Sequence, residues 1–209
     1  NGGSLSEGSG SIHAGSARDG FTSAIVLAAG RATRMGRNKA LAAIGGRPML
    51  QHVLDAAAAS NIDEIVLVLG ADEDAIRRAL VLPTRIPTRV VVVAGEAPAQ
   101  SVSLRAGLRV VDARATRAAV LLGDEPGVTS ELIDRVGAAL ADSGARAARP
   151  VWRDATGRCV PGHPVFLSRS IWPELESLRG DTGARQLFEA HPEWLHEVHV
   201  EGEPFGDVD

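Results

Sequence analysis

The chain has 209 residues, with 22 Lys and Arg against 26 Asp and Glu and a formal net charge of −4 with His neutral. That length suits one α/β domain, and the acidic balance argues against a general nucleic-acid binder, which carries a basic excess or stripe. Apolar residues make up 44% of the chain, enough for a real core, but no apolar run reaches the roughly 18 residues needed to span a bilayer. Neither nucleic acid nor a membrane is therefore expected as a partner. The single cysteine, Cys159, cannot form an internal disulfide, which fits a cytoplasmic location.

The first stretch, NGGSLSEGSGSIHAGSARDG, is rich in Gly and Ser and has no apolar core of the kind a secretory signal needs. Residues 1–21 are expected to be a flexible tail, and 22–209 one domain. SAIVLA (23–28) is a short apolar run stopped by glycine and predicts a buried strand. RPMLQHVLDAAAAS (47–60) predicts a helix with Pro48 near its start. EIVLVLG (64–70) predicts a second strand. DEDAIRRAL (72–80) predicts a helix whose acids precede its arginines, in accord with the helix dipole. RVVVVAG (89–95) predicts a third strand, and QSVSLRAGLRVV (100–111) a helix that Ser101 could cap. AAVLLGDEP (118–126) predicts a fourth strand running into acids. TSELIDRVGAALADSG (129–144) predicts a helix capped by Thr129 or Ser130 and closed by Gly144.

Four apolar strands alternating with four helices predict a doubly wound, mainly parallel, Rossmann-like α/β sheet, its strands buried on both faces. After residue 145 the rhythm loosens. ARPVWR (148–153), HPVFLS (163–168) and LHEVHV (195–200) predict strands and TGARQLFEA (182–190) a helix, so the last third is expected to add antiparallel strands.

The loop that leaves the first strand, LAAGRATRMGRNKAL (27–41), places Gly30, Arg31, Arg34, Gly36, Arg37 and Lys39 within ten residues. Glycines let backbone N–H groups approach phosphate oxygens, and Arg and Lys add charge-assisted bonds. In an open α/β sheet such a loop lies at the carboxyl edge, where ligands bind. The two commonest cradles both fail: the spacing from Gly30 to Gly36 lacks the middle glycine of a dinucleotide fingerprint, and Gly36-Arg37-Asn38-Lys39 is not a P-loop ending. Asp124 ends the fourth strand at the same edge, where a carboxylate can hold Mg²⁺ or simply make the turn before Pro126. Gln100, Ser101 and Ser103 could bind base or ribose, and Asp181 could cap a helix. Two ligands, Cys159 and His163, do not make a zinc site.

The loop resembles the signature L-A-x-G-x-[ST]-x-R-[ML]-G-x-x-K of the MobA-like nucleotidyltransferases, matching at Leu27, Ala28, Gly30, Arg34, Met35, Gly36 and Lys39, with Thr33 one place beyond the usual hydroxyl position. Further motifs follow in order: QSVSLRAGL (100–108), LLGDEPGV (121–128), PGHPVFL (161–167), LRGDTGARQL (178–187) and DVD (207–209). The last three are similar to those of the molybdenum cofactor cytidylyltransferase subgroup.

The resemblance implies transfer of NMP, with CTP as donor, to a small phosphorylated acceptor, molybdopterin, with Mg²⁺ as cofactor. Leu27, Ala28, Ala29, Gly30, Arg31 and Gly36, with Gln100, Ser101 and Ser103, would bind the nucleotide. Arg34, Lys39 and Asp124 would be catalytic. Asp124 would hold the metal with Asp207 or Asp209, and His163, Asp181 and Arg185 would meet the acceptor. In this family guanylate users tend to read L-A-G-G and pyrimidine users A-A-G, so Ala29 implies CTP. Two other readings remain open: an NAD(P)H-dependent oxidoreductase of the nicotine-blue-oxidoreductase type, and a silent carrier or chaperone of the molybdenum cofactor, with a molybdoenzyme as partner.

Overall fold

The computed structural model describes residues 20–30, 39–95, 98–177 and 184–202. Its centre is β1 (Phe21–Ala28), which pairs in parallel with β4 (Glu64–Leu69) on one side and β6 (Ala115–Leu122) on the other. β1 and β4 bury both faces. Ala24, Val26, Ile65 and Leu67 face one apolar cluster, while Ile25, Leu27, Val66 and Val68 face a second. This alternation is why their sequences read as unbroken apolar runs.

The eight-stranded sheet has the order β10-β7-β9-β6-β1-β4-β5, with β8 added against β7. From β1 the chain moves outward to β4 and β5 (Thr88–Val92), then crosses back to β6 on the other side of β1. That reversal puts a topological switch point between the carboxyl ends of β1 and β6. There Leu27 pairs with Leu122 and Gly123 N–H donates to Leu27 O at 2.9 Å. The outer half is mixed, as the sequence predicts. β9 (Val165–Ser168) runs antiparallel to β6 and to β7 (Ala147–Arg153), β8 (Cys159–Pro161) antiparallel to β7, and β10 (Leu195–His199) parallel to β7.

One face of the sheet is covered by α1 (Met49–Ala59), α2 (Glu73–Ala79) and α4 (Ser130–Ser143), which contribute Leu50, Ile76 and Ile133 to the first cluster. The other carries α3 (Gln100–Leu108), α5 (Trp172–Glu176) and α6 (Arg185–Ala190), with Leu104, Leu175 and Phe188 in the second. α3 lies close on β1. A Cβ built at Gly107 would sit 2.5 Å from Ile25 Cγ2, so only glycine allows this approach.

Several element limits differ from expectation. The predicted helix 47–60 begins at Met49, because Arg47–Pro48 forms β3, a hairpin with β2 (Ala43–Ile44). Gly45 and Gly46 turn that hairpin with φ of +57° and +80°, the positive values a two-residue turn requires. Ser101 does not cap α3. Ala99 holds the extended N-cap position, so Ser101 is already the second helical residue. α3 also ends at Leu108 rather than 111, where Arg109 N–H bonds both Arg105 O and Gly107 O. β6 starts at Ala115 and stops at Leu122, before the acids. β5 is an edge strand with only partial burial, not a doubly buried one. β1 begins at Phe21, one residue inside the expected tail. Thr129 Oγ1 does accept from Leu132 N–H at 3.2 Å, and Gly144 closes α4 in the left-handed region.

Candidate active site

The switch point fixes what can meet there. Leu27, Ala28 and Ala29 are buried at the end of β1, and Gly30 emerges to solvent. Gly70, which follows β4, packs so tightly on this exit that a Cβ there would lie 2.7 Å from Ala29 O. Gly123 holds the exit from the β6 side, where a Cβ would meet Ala28 and Leu50 at 3.0 Å. The path of the chain out of β1 is thus pinned by two glycines that directly follow the neighbouring strands β4 and β6.

Arg31, Arg34, Gly36, Asp181, Asp207 and Asp209 lie outside the described residues. Lys39 is described: it opens a 3₁₀ turn, Lys39–Leu41, and is half-buried. Asp124 follows Gly123 at the end of β6 and is half-buried. Ser101 and Ser103 are both buried on the first turns of α3. The Ser101 hydroxyl is shielded from solvent and has no hydrogen-bond partner among the described residues. Such a group is uncommon in folded proteins and asks for an explanation.

A pocket of about 180 Å³ opens on the α3/α6 face of the sheet. Its floor is Leu27, Val120, Val165 and Leu167, and its rim carries Gln100, His163, Arg149 and Arg185. Residues read from four separated stretches of sequence (Leu27, Gln100, His163 and Arg185) thus line one cavity. Ala28, Ala29, Gly30, Ser101, Ser103, Lys39 and Asp124 do not line it.

Two contributors were not singled out by sequence. Glu125 Oε1 lies 3.2 Å from His163 Nδ1, tying the segment after β6 to the β8–β9 connection. Arg149 sits on β7 beside the register partner Glu197 of β10, and its Nε and Nη2 donate to Glu197 Oε1 at 3.2 and 2.6 Å. A charged residue inside the apolar stretch ARPVWR was its signal. Trp152, with 2% exposure, is core, and a Cβ at Gly162 would strike its ring at 2.6 Å. That contact sets the backbone just ahead of His163, whose bond to Pro164 is cis.

The titrating groups with shifted behaviour lie outside this site. Asp154, in the β7–β8 turn, is held below the usual carboxylate range, first by the Thr156 hydroxyl and then by the Arg158 N–H. Asp112 is lowered by its fork with Arg114, at the opposite edge of the sheet.

Among the described residues, no three His, Cys, Asp or Glu are grouped to hold a metal ion. Nor is any described helix long and apolar enough to cross a membrane.

The model of the MobA-like NTP transferase domain matches residues 24–195, most of the chain and the whole of the switch-point site. The chain belongs to the MobA-like NTP transferase family. The family is one of nucleotidyltransferases.

Rv0371c from Mycobacterium tuberculosis H37Rv superposes on the chain with TM-score 0.78 and 33% identity, covering 91% of this chain and 93% of that one. A structure of Rv0371c in complex with manganese superposes with TM-score 0.72 and 34% identity, covering 90% and 93%. Among curated relatives, the 2-C-methyl-D-erythritol 4-phosphate cytidylyltransferase of Cereibacter sphaeroides is 38% identical over 148 residues, 66% of this chain and 64% of that protein. The bifunctional protein GlmU of Halalkalibacterium halodurans is 37% identical over 116 residues, but the match spans only 24% of that longer protein.

Proposed function

We propose that this nucleotidyltransferase moves CMP from CTP to the phosphate of a small acceptor, molybdopterin, releasing pyrophosphate. The observation that carries the reading is the shared cavity at the β1/β6 switch point. Gln100 of the proposed nucleotide motif lines it together with His163 and Arg185 of the proposed acceptor motifs. A bisubstrate transferase needs donor and acceptor side by side, so that an intermolecular attack becomes a positioned one.

In the reaction an acceptor phosphate oxygen attacks the α-phosphorus of CTP in line. The new O–P bond forms as the bond to pyrophosphate breaks, and no covalent enzyme intermediate is needed. Catalysis is then positioning and charge stabilisation. Backbone amides of the loop after β1, with Arg34, hold the β- and γ-phosphates. Lys39 meets charge developing at the α-phosphate. His163 and Arg185 hold the acceptor.

Mg²⁺ fits the donor set, because Asp124 is a hard carboxylate at the carboxyl edge and Mg²⁺ typically takes one or two carboxylates plus phosphates and water. Asp124, with Asp207 or Asp209, would hold it. When bound, the ion supplies positive charge against the triphosphate. The manganese complex of Rv0371c supports a divalent cation in this fold.

The test is nucleotide choice. CTP with Mg²⁺ should raise the melting temperature more than GTP, UTP, ATP or NAD(P)H, since a ligand that binds only the native state stabilises it. Molybdopterin with CTP should then release pyrophosphate. Stabilisation by NAD(P)H alone, or by no nucleotide, would overturn the reading.

A further inference from the structure

The floor and the rim of the switch-point pocket differ in character. The floor is made by Leu27 of β1, Val120 of β6, and Val165 and Leu167 of β9. Val120 and Val165 are direct partners in the ladder, and β1, β6 and β9 are each paired on both sides. The backbone under the recess is therefore committed to the sheet, and the floor presents apolar side chains. Leu104 of α3 and Phe188 of α6, both buried in the same apolar cluster, flank it. Polar groups stand at the rim. His163 Nδ1 faces Glu125, which leaves Nε2, and Arg185 gives Nε to Glu189 at 2.8 Å, which leaves its Nη edge.

The two zones select for different groups. A phosphate belongs at the rim, since a charge moved onto the floor would lose its hydration and gain no partner. The floor suits the opposite kind of group. An open recess of apolar side chains forfeits the packing contacts of a closed core, and an apolar occupant restores them. Size sets the limit. The pocket holds about 180 Å³, and a cavity of about 150 Å³ lined by Leu, Ile and Phe is enough for benzene. One six-membered ring fits. Of the described nucleotide-motif residues, only Leu27 and Gln100 reach this pocket, while Ala28, Ala29, Gly30, Ser101 and Ser103 do not. The ring is therefore assigned to the acceptor and not to the donor's base.

We infer that the recess selects an acceptor whose reacting phosphate is carried next to an uncharged ring, seated between Leu104 and Phe188 over Val120, Val165 and Leu167, and that it discriminates against sugar and polyol phosphates. The inference rests on the reading of His163 and Arg185 as the acceptor site. A sugar hydroxyl set on this floor would lose its water without gaining a partner, a loss of about ten-fold or more in affinity.

The test ligands are benzyl phosphate, cyclohexylmethyl phosphate, glucose 6-phosphate and methyl phosphate. The second and third carry the phosphate on the same ring-CH₂ skeleton and differ in the oxygens of the ring. Each is titrated calorimetrically into wild type, Val165→Phe and Val165→Thr, with and without saturating CTP. The benzyl and cyclohexylmethyl phosphates should bind wild type about ten-fold or more tightly than glucose 6-phosphate or methyl phosphate, the gain from burying an apolar ring. Val165→Phe, whose ring grows into the recess, should erase that advantage, read against methyl phosphate in the same variant. Val165→Thr, which puts one hydroxyl on the floor at nearly unchanged shape, should narrow it. Equal wild-type affinity for cyclohexylmethyl phosphate and glucose 6-phosphate, or an advantage untouched by both variants, would overturn the inference. Displacement of the ring phosphates by CTP would overturn it too, by giving the floor to the donor's base. CTP binding without a ring advantage rejects the recess alone. A ring advantage controlled by Val165, without CTP binding, rejects the nucleotide reading and leaves the ring site standing.

Discussion

Glu125 Oε1 lies 3.2 Å from His163 Nδ1, across 38 residues of sequence, and joins the segment that carries Asp124 to the segment that lines the acceptor pocket. A carboxylate on one ring nitrogen fixes the tautomer and orientation of the other. Glu125→Gln should therefore act on the acceptor and not on the nucleotide. The expected result is a rise of about ten-fold in acceptor KM, the scale of one hydrogen bond to a charged group, with CTP affinity unchanged. Steady-state titration of each substrate separates the two. An equal loss of affinity for both would mean that Glu125 merely supports the loop after β6.

The contact of Gly107 with Ile25 makes a prediction about stability. Gly107→Ala would place a methyl 2.5 Å from Ile25 Cγ2 and 3.3 Å from Val68 Cγ2, both on doubly buried strands. Overpacking of this kind costs about 1–3 kcal/mol, against which the gain in helix propensity from Gly to Ala, up to about 1 kcal/mol, is the smaller effect. Urea denaturation should show a lower midpoint at unchanged slope. A midpoint equal to wild type would show that α3 stands off β1.

How much of this was legible in the sequence depends on distance along the chain. β1, β4 and α4 were legible because each carries its own signal, an unbroken apolar run or a cap at Thr129 and Gly144. The hairpin at 43–48 was not, because two-residue strands have no periodicity, although Gly45-Gly46 marked the turn. Glu64 was read only as the start of a strand. In the fold it is 1% exposed, accepts from Ser23 Oγ at 2.6 Å and from Asp112 N–H, and stitches three segments together. Those partners are 41 and 48 residues away, and nothing local announces them. The same holds for Glu125, whose partner His163 lies 38 residues on, whereas Arg149 carries a local signal, a charge inside an apolar run, that says nothing of its partner Glu197. The family motifs named His163 and Arg185, but not the residues that orient or extend their pocket.

Lys39 opens its 3₁₀ turn just after the loop that leaves β1. Lys39→Ala should leave the fold intact and lower kcat by roughly 10²-fold or more, the loss typical of one contact made to charge in the transition state. The check is turnover of CTP with acceptor, alongside a thermal melt to confirm folding. Wild-type turnover in the pure variant would remove Lys39 from the chemistry.

Asp124 follows directly on the strand end at the switch point. Asp124→Asn keeps the shape and removes the charge, so metal-supported turnover should fall to background. CTP affinity measured in a chelator should change little, because the neutral amide still fits. Turnover of wild type that is equal with Mg²⁺ and with chelator would already refute the role.

The last prediction concerns the base. Ala29 is 5% exposed and belongs to the apolar cluster that also holds Val93 and Leu104. Ala29→Gly therefore has two consequences that can be measured apart. Losing a buried methyl costs about 0.8 kcal/mol, and the freer glycine backbone adds about 0.5–1 kcal/mol, so the melting temperature should drop by several degrees. The second consequence is selectivity. If the Ala29 side of the exit from β1 excludes the larger purine ring system, its removal should narrow the preference for CTP over GTP, within the roughly 10- to 200-fold range that a methyl-sized difference supplies. Parallel kcat/KM values for both nucleotides on both proteins decide. A uniform loss with an unchanged CTP/GTP ratio would assign Ala29 to packing alone. A wild-type preference for GTP would overturn the choice of CTP as donor while leaving the family, the sheet and the shared cavity as they stand.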